Sequence, residues 1–82
     1  MDNKKELVIE RIREVIKDVC PHALDQLADL DQDFFDAGID SLDFSSILLE
    51  IEEGYEIKIL DGDIANLNTL NSLAAYVTTN SN

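Results

Sequence analysis

The chain has 82 residues, a formal net charge of −12 and 45% hydrophobic residues. That length builds one small domain with a modest core and excludes a deep, enclosed active-site cleft, while the apolar content excludes intrinsic disorder in spite of the charge. Five of the six basic residues (Lys4, Lys5, Arg11, Arg13 and Lys17) lie in the first segment, and Lys58 alone offsets the acids from Asp18 onward; the negative field disfavours nucleic acid and anionic membranes and suits partners with basic patches.

The first predicted helix is capped by Asn3, with Glu6 three residues later completing a capping box. Val8, Ile12, Val15, Ile16 and Val19 then recur at helical spacing, with Glu10, Arg11, Arg13, Glu14 and Lys17 off that stripe. Pro21 cannot continue a helix, so the element is expected to end near Val19 or Cys20. Cys20 is the single cysteine, which rules out an intrachain disulfide and suits a reducing compartment. No N-terminal apolar stretch resembles a signal peptide, and no run approaches the roughly 20 apolar residues of a membrane span. A soluble, cytoplasmic protein is expected.

Residues 21–39 are expected to form a long ordered loop with a helical turn, pinned to the core by Leu24, Leu27, Leu30, Phe34 and Phe35. Loops of this length in a small domain are usually functional. Gly38 is the expected positive-φ position before the second helix. That helix starts at Asp40 or Ser41, with Asp40 as N-cap and Asp43 placing a further carboxylate in the first turn, where the helix dipole favours it. Ile47, Leu48, Ile51 and Tyr55 define a buried face; Leu42, Ser45, Ser46, Leu49 and Glu53 define a second, mixed face, and Gly54 weakens the end of the helix. Ile57, Ile59 and Leu60 alternate loosely but have no strand to pair with, so they read as a loop plugging the core. Residues 61–67 read as a short third helix, and Thr69 caps a last one carrying Leu70, Leu73, Ala74 and Val77. The polar tail from Thr78 to Asn82 is expected to fray. The fold class is therefore all-α: a small helical bundle of three main helices plus one short helix, in a single domain spanning residues 1–82 and ordered over about 3–78.

The segment Asp36-Ala37-Gly38-Ile39-Asp40-Ser41-Leu42-Asp43 puts a serine hydroxyl in the first turn of a helix, flanked by acids, directly after a glycine-containing loop. A glycine followed two residues later by Asp-Ser-Leu resembles the attachment motif of acyl carrier proteins. The run Asp33-Phe34-Phe35-Asp36 is similar to the lead-in of carrier domains from polyketide and peptide synthesis. The resemblance covers nearly the whole chain, through Glu52-Glu53-Gly54-Tyr55 and the Thr69-Leu70 start of the last helix, and implies an acyl-carrier-like bundle. It implies that Ser41 is esterified by 4′-phosphopantetheine, delivered from coenzyme A by a phosphopantetheinyl transferase with Mg²⁺. The thiol of that arm then carries acyl groups as thioesters to acyl-loading and acyl-processing enzymes of fatty-acid, polyketide or related biosynthesis. The chain itself would be a monomeric carrier, not an enzyme. The N–H groups of a helix N-terminus can receive the phosphodiester, whereas Asp40 and Asp43 work against that anion and suit contact with basic partners.

Other chemistries fit less well. A serine hydrolase needs a base, an orienting acid and an oxyanion hole; His22 is the only histidine, and Gly38-Ile39-Asp40-Ser41-Leu42 lacks the second glycine of the nucleophile elbow. Asp29, Asp31, Asp33 and Asp36 suggest a calcium loop, but its sixth and twelfth positions would be Phe34 and Asp40 instead of glycine and glutamate. The alternative to a carrier is an acidic protein-interaction or weak divalent-cation-binding module in which Ser41 only caps a helix. Cys20 reads as a small core or boundary residue.

The sequence departs from carriers of bacterial fatty-acid synthesis at Ser45, Ser46 and Leu49, where Val, Glu and a methionine are usual, at Leu60, where a loop proline is usual, and at Phe44, bulkier than the usual threonine. A specialised, free-standing carrier is expected from these differences. Its recognition face would comprise Asp40, Leu42, Asp43, Ser45, Leu49, Glu52 and Glu53, with acids steering encounter and the two leucines desolvated at the centre.

Overall fold

A computed structural model describes residues 3–81. Three α-helices, α1 (Asn3–Val19), α2 (Ser41–Tyr55) and α3 (Leu70–Asn80), are joined by connections that each carry one short 3-10 segment, at Pro21–Gln26 and Asp61–Asn66. No strand occurs among the described residues. The helical turn expected in the long loop is the first of these segments, opened by Pro21, and the short helix expected at 61–67 is the second, wound more tightly than an α-helix.

The core is built by the stripes that the sequence repeats. Val8, Ile12, Val15 and Ile16 of α1 meet Phe44, Ile47, Leu48 and Ile51 of α2 and Leu70, Leu73, Ala74 and Val77 of α3, all buried. Cys20, Ala23, Leu27, Phe34, Ala37 and Ile39 bring the long loop into the same core. Helices α1 and α2 are antiparallel: the Arg11 side chain lies 3.9 Å from where a Cβ on Gly54 would stand, while Asp18 and Glu50 line one shared groove further along. The C-terminal end of α1 therefore lies at the N-terminal end of α2.

Several local expectations are revised. Asn3 is already helical, so it does not cap α1, and the residue before it lies outside the described residues. Helix α2 ends at Tyr55, the last residue of its expected stripe, and its C-cap, which the sequence pattern leaves open, is Glu56, a non-glycine residue at φ 55° whose N–H donates to the Glu52 carbonyl. Ile59 does plug the core, but Leu60 is 57% exposed. The expected fraying from Thr78 is not seen up to Asn80: α3 continues to that residue, the Ser81 N–H donates to the Val77 carbonyl at 2.9 Å, and Lys4 Nζ reaches the Ser81 carbonyl at 2.8 Å. A lysine far away in sequence thus holds a terminus that looks loose when read locally.

Candidate functional site

The loop ahead of α2 is fixed by its own backbone before it reaches Ser41. Asp33 Oδ1 accepts from the Phe35 N–H at 2.8 Å and the Asp36 N–H at 3.2 Å, closing a turn, and the Ile39 N–H donates to the Phe34 carbonyl at 3.1 Å. Gly38 then takes φ 101°, a conformation that side chains of L-residues rarely adopt. Ile39 is buried again at 1% exposure.

Asp40 is extended (φ −88°, ψ 177°) and caps α2: its Oδ1 accepts from the Asp43 N–H at 2.8 Å, while its carbonyl accepts the first helical bond, from the Phe44 N–H at 2.9 Å. Phe44 is buried with its ring 5.9 Å from Phe34 and 5.2 Å from Phe35. With Ile39 and Phe44 both sunk in the core, the residues between them are pushed outward. Ser41 is exposed in the first turn of α2, and among the described residues its hydroxyl has no hydrogen-bond partner. The cap role once open to Ser41 belongs to Asp40. The N–H groups of Ser41 and Leu42 stand at the open end of the helix, where no preceding turn can accept from them.

On the inner side of this helix end sits Cys20, 2% exposed, with Sγ 3.5 Å and 3.7 Å from the two ring nitrogens of His22. Burial pushes the Cys20 thiol up from its ordinary pKa, and the Asp43 carboxylate beside it adds to the rise. The thiol is therefore protonated and unreactive near neutral pH. His22 also packs on Gly38: a Cβ there would stand 3.5 Å from His22 Nε2.

The residues expected to form a recognition face divide into two groups. Asp40, Leu42, Ser45, Leu49 and Glu53 are exposed, Leu42 at 80% and Leu49 at 56%. Asp43 is half-buried toward Cys20, and half-buried Glu52 accepts from the Ile59 N–H at 2.7 Å, which ties α2 to the following loop. Beside the exposed group, a groove of about 440 Å³ runs between α2 and the second 3-10 segment, walled by Leu48, Leu49, Ile59 and Ile64 with Lys58 and Asp61 at its polar edge.

The aspartates that suggested a calcium loop serve other ends. Asp29 Oδ1 accepts from the Asp31 N–H, Asp31 Oδ1 accepts from the Asn71 side chain at 3.0 Å, and Asp33 is bonded to the Asn68 side chain. Among the described residues no group of three His, Cys, Asp or Glu side chains is arranged to hold a metal ion. No described helix is long and apolar enough to cross a membrane.

Residues 10–77 match the family described as the phosphopantetheine attachment site. Two curated relatives, from Onion yellows phytoplasma (strain OY-M) and Aster yellows witches'-broom phytoplasma (strain AYWB), are each named acyl carrier protein. Each is 36% identical over 45 residues, 55% of this chain and 59% of the relative, so the matched stretch covers only part of either protein. No solved structure matches the chain.

Proposed function

The chain belongs to the phosphopantetheine attachment-site family, and from that premise we propose that it is a carrier holding acyl groups as thioesters on a 4′-phosphopantetheine arm esterified to Ser41. The observation that carries this assignment is the division of labour at the start of α2. Asp40 caps the helix, so the exposed Ser41 hydroxyl has no structural duty and is open to a modifying enzyme. The phosphopantetheine supplies a thiol at the end of a flexible arm, where an acyl group is held as a thioester. The chain's own residues do the rest: Ile39 and Phe44 anchor both sides of the serine, and the Ser41 and Leu42 N–H groups face the region a phosphodiester would occupy.

In this reading the chain catalyses nothing itself. His22, the only histidine, lies against Cys20 and Gly38, and the segment Gly38-Ile39-Asp40-Ser41-Leu42 lacks the second glycine of a nucleophile elbow. The partners are a phosphopantetheinyl transferase and acyl-loading and acyl-processing enzymes with basic docking patches, met in the cytoplasm by a monomeric carrier. The face they meet has an apolar centre at Leu42 and Leu49, uncharged Ser45 and Ser46 between them, and acids at Asp40 and Glu53 around it. A face with Ser46 where fatty-acid carriers place a carboxylate supports a dedicated pathway. Poor turnover with a general fatty-acid ketosynthase, against that pathway's own carrier, is the expected result; equal turnover refutes the specialisation.

The attachment itself is tested by intact mass after incubation with coenzyme A, Mg²⁺ and a promiscuous transferase, with Ser41→Ala alongside. A gain of one phosphopantetheine on the parent and none on the variant is expected. No gain on either would return the chain to an acidic interaction module.

A further inference from the structure

The attachment end of the molecule is electrostatically hostile to a phosphodiester. Asp36, Asp40 and Asp43 surround Ser41 in sequence, and between Asp18 and Lys58 there is no lysine or arginine. A permanently anionic group added there meets three carboxylates, with only helix N–H dipoles to offset them. Lys17 lines the α1–α2 groove with Glu50, nine residues along α2 from Ser41, which is about 13 Å at 1.5 Å per residue, and Lys58 lines the groove on another side of α2 with Ser45 and Glu52.

A hydrogen-bonding ring reaches this end from the segment after α1. Because α1 and α2 are antiparallel, the end of α1 and the turn after it lie beside the start of α2. His22, in the first turn of the 3-10 segment, is exposed, with one ring edge on Gly38, three residues before Ser41, and on the Cys20 thiol. His22 meets Gly38 at ordinary contact distance, and the φ of 101° at Gly38, which favours glycine, turns the backbone at the same point. The thiol is a weak partner for an imidazole, so the contact leaves His22 with hydrogen-bonding capacity to spare.

We propose that His22 is a positioning residue for the prosthetic arm: its imidazole N–H donates to the phosphodiester on Ser41, offsets the surrounding aspartates and biases the direction in which the arm leaves the helix. This rests on the attachment at Ser41. A ring N–H not given to the weakly accepting thiol suffices for the bond. The groups against the ring are the Cys20 thiol and the Gly38 backbone, and Asp43 and Asp40 act on that same thiol.

The experiment uses the full chain, converted from apo to holo by transferase and coenzyme A and checked by intact mass. Failure at that check refutes the attachment, not the role of His22. On the holo protein, the His22 ring carbons and protons are followed by NMR through the conversion, and the ³¹P resonance of the phosphodiester is compared between the parent and His22→Phe, which keeps a ring against Gly38 and Cys20 but removes the N–H. The expected result is that the His22 ring signals shift on conversion, and that the ³¹P line of the variant shifts and sharpens as the arm gains freedom. Unmoved ring signals overturn the proposal, as does a ring shift accompanied by an unchanged ³¹P line, which would mean packing alone. Should His22→Phe not fold, His22→Leu takes its place in the ³¹P comparison, with the same two outcomes.

Discussion

Asp33 and Asn68, 35 residues apart, clasp the loop before Ser41 to the start of α3: the Asn68 side-chain amide donates to Asp33 Oδ2, and the Asn68 carbonyl accepts the Phe34 N–H at 2.8 Å. The other oxygen of Asp33 closes the turn through the Phe35 and Asp36 N–H groups, so one carboxylate joins two segments. The Asn68 bond, followed by the two backbone donors, holds the Asp33 pKa below the ordinary aspartate value. A carboxylate with a lowered folded pKa adds stability that is fully present above its unfolded pKa, about 4, and is lost as pH falls through the lowered folded value. Asp33→Asn should therefore lower the melting temperature at pH 6 to 7 and narrow its gap to the parent at pH 3. A gap that stays constant over that range would show that the carboxylate charge is not what the clasp uses.

Phe44 presses against Phe34 and Phe35 and sinks the inner side of α2 three residues after Ser41. Phe44→Ala removes a ring that is 5% exposed and should cost about 3–5 kcal/mol. A chain of 82 residues holds roughly 4–12 kcal/mol in total, so the variant should lose a quarter or more of its stability. Circular dichroism through a urea titration gives the answer directly; a midpoint close to that of the parent would mean that the ring cluster is not part of the core.

How far these features could be read in the sequence depends on how local their causes are. The helical stripes, the Asp40 and Thr69 caps and the positive φ of Gly38 follow from neighbouring residues, and each is found where the spacing puts it. Phe44 is legible too, since 44, 47, 48 and 51 form one helical stripe, although its place next to the attachment motif masks its part in the core. The 3-10 winding, the Asn68 and Asn71 clasps and the Lys4 tether of α3 depend on partners far along the chain, which periodicity does not register. Glu52 shows the same limit: its sequence position suits an exposed docking acid, and only the fold turns its carboxylate to the Ile59 N–H.

Glu56 ends α2 in the left-handed region at φ 55°, which costs an L-residue with a side chain roughly 1 kcal/mol relative to glycine. It also puts a negative charge at the negative end of the helix dipole. Glu56→Gly should raise stability by about 1 kcal/mol, and Glu56→Ala, which removes the charge but keeps the Cβ, should recover only the electrostatic part. Equal melting temperatures for the glycine and alanine variants would remove the backbone from the explanation.

With a net charge of −12 and five of its six lysines and arginines on α1, the folded chain repels itself over most of its surface. The Arg11–Glu14 pair, at 3.5 Å with both side chains exposed, offsets only about 0.5 kcal/mol of this. Raising ionic strength from 10 to 150 mM shortens the screening length from about 30 Å to about 8 Å and should raise the melting temperature. Millimolar Mg²⁺ should do so at lower ionic strength. A melting curve indifferent to salt would mean that the acids are already far enough apart not to matter.

Leu42 is 80% exposed one residue after Ser41 and touches little of its own protein, so nothing in the fold requires an apolar side chain there. An enzyme that must reach the serine closes over Leu42 first, and an apolar side chain desolvated at the centre of a small interface commonly contributes 1–2 kcal/mol. Leu42→Ala should therefore leave the melting temperature unchanged while lowering kcat/KM of the transferase for the apo chain about five- to thirty-fold. Leu7, 64% exposed on α1, is the matched control, because Leu7→Ala removes as much apolar surface away from the serine. If both variants are modified at the parental rate, the leucine belongs to a later partner or to none; if both slow equally, the loss is one of general surface character and the face around Ser41 is not the docking site.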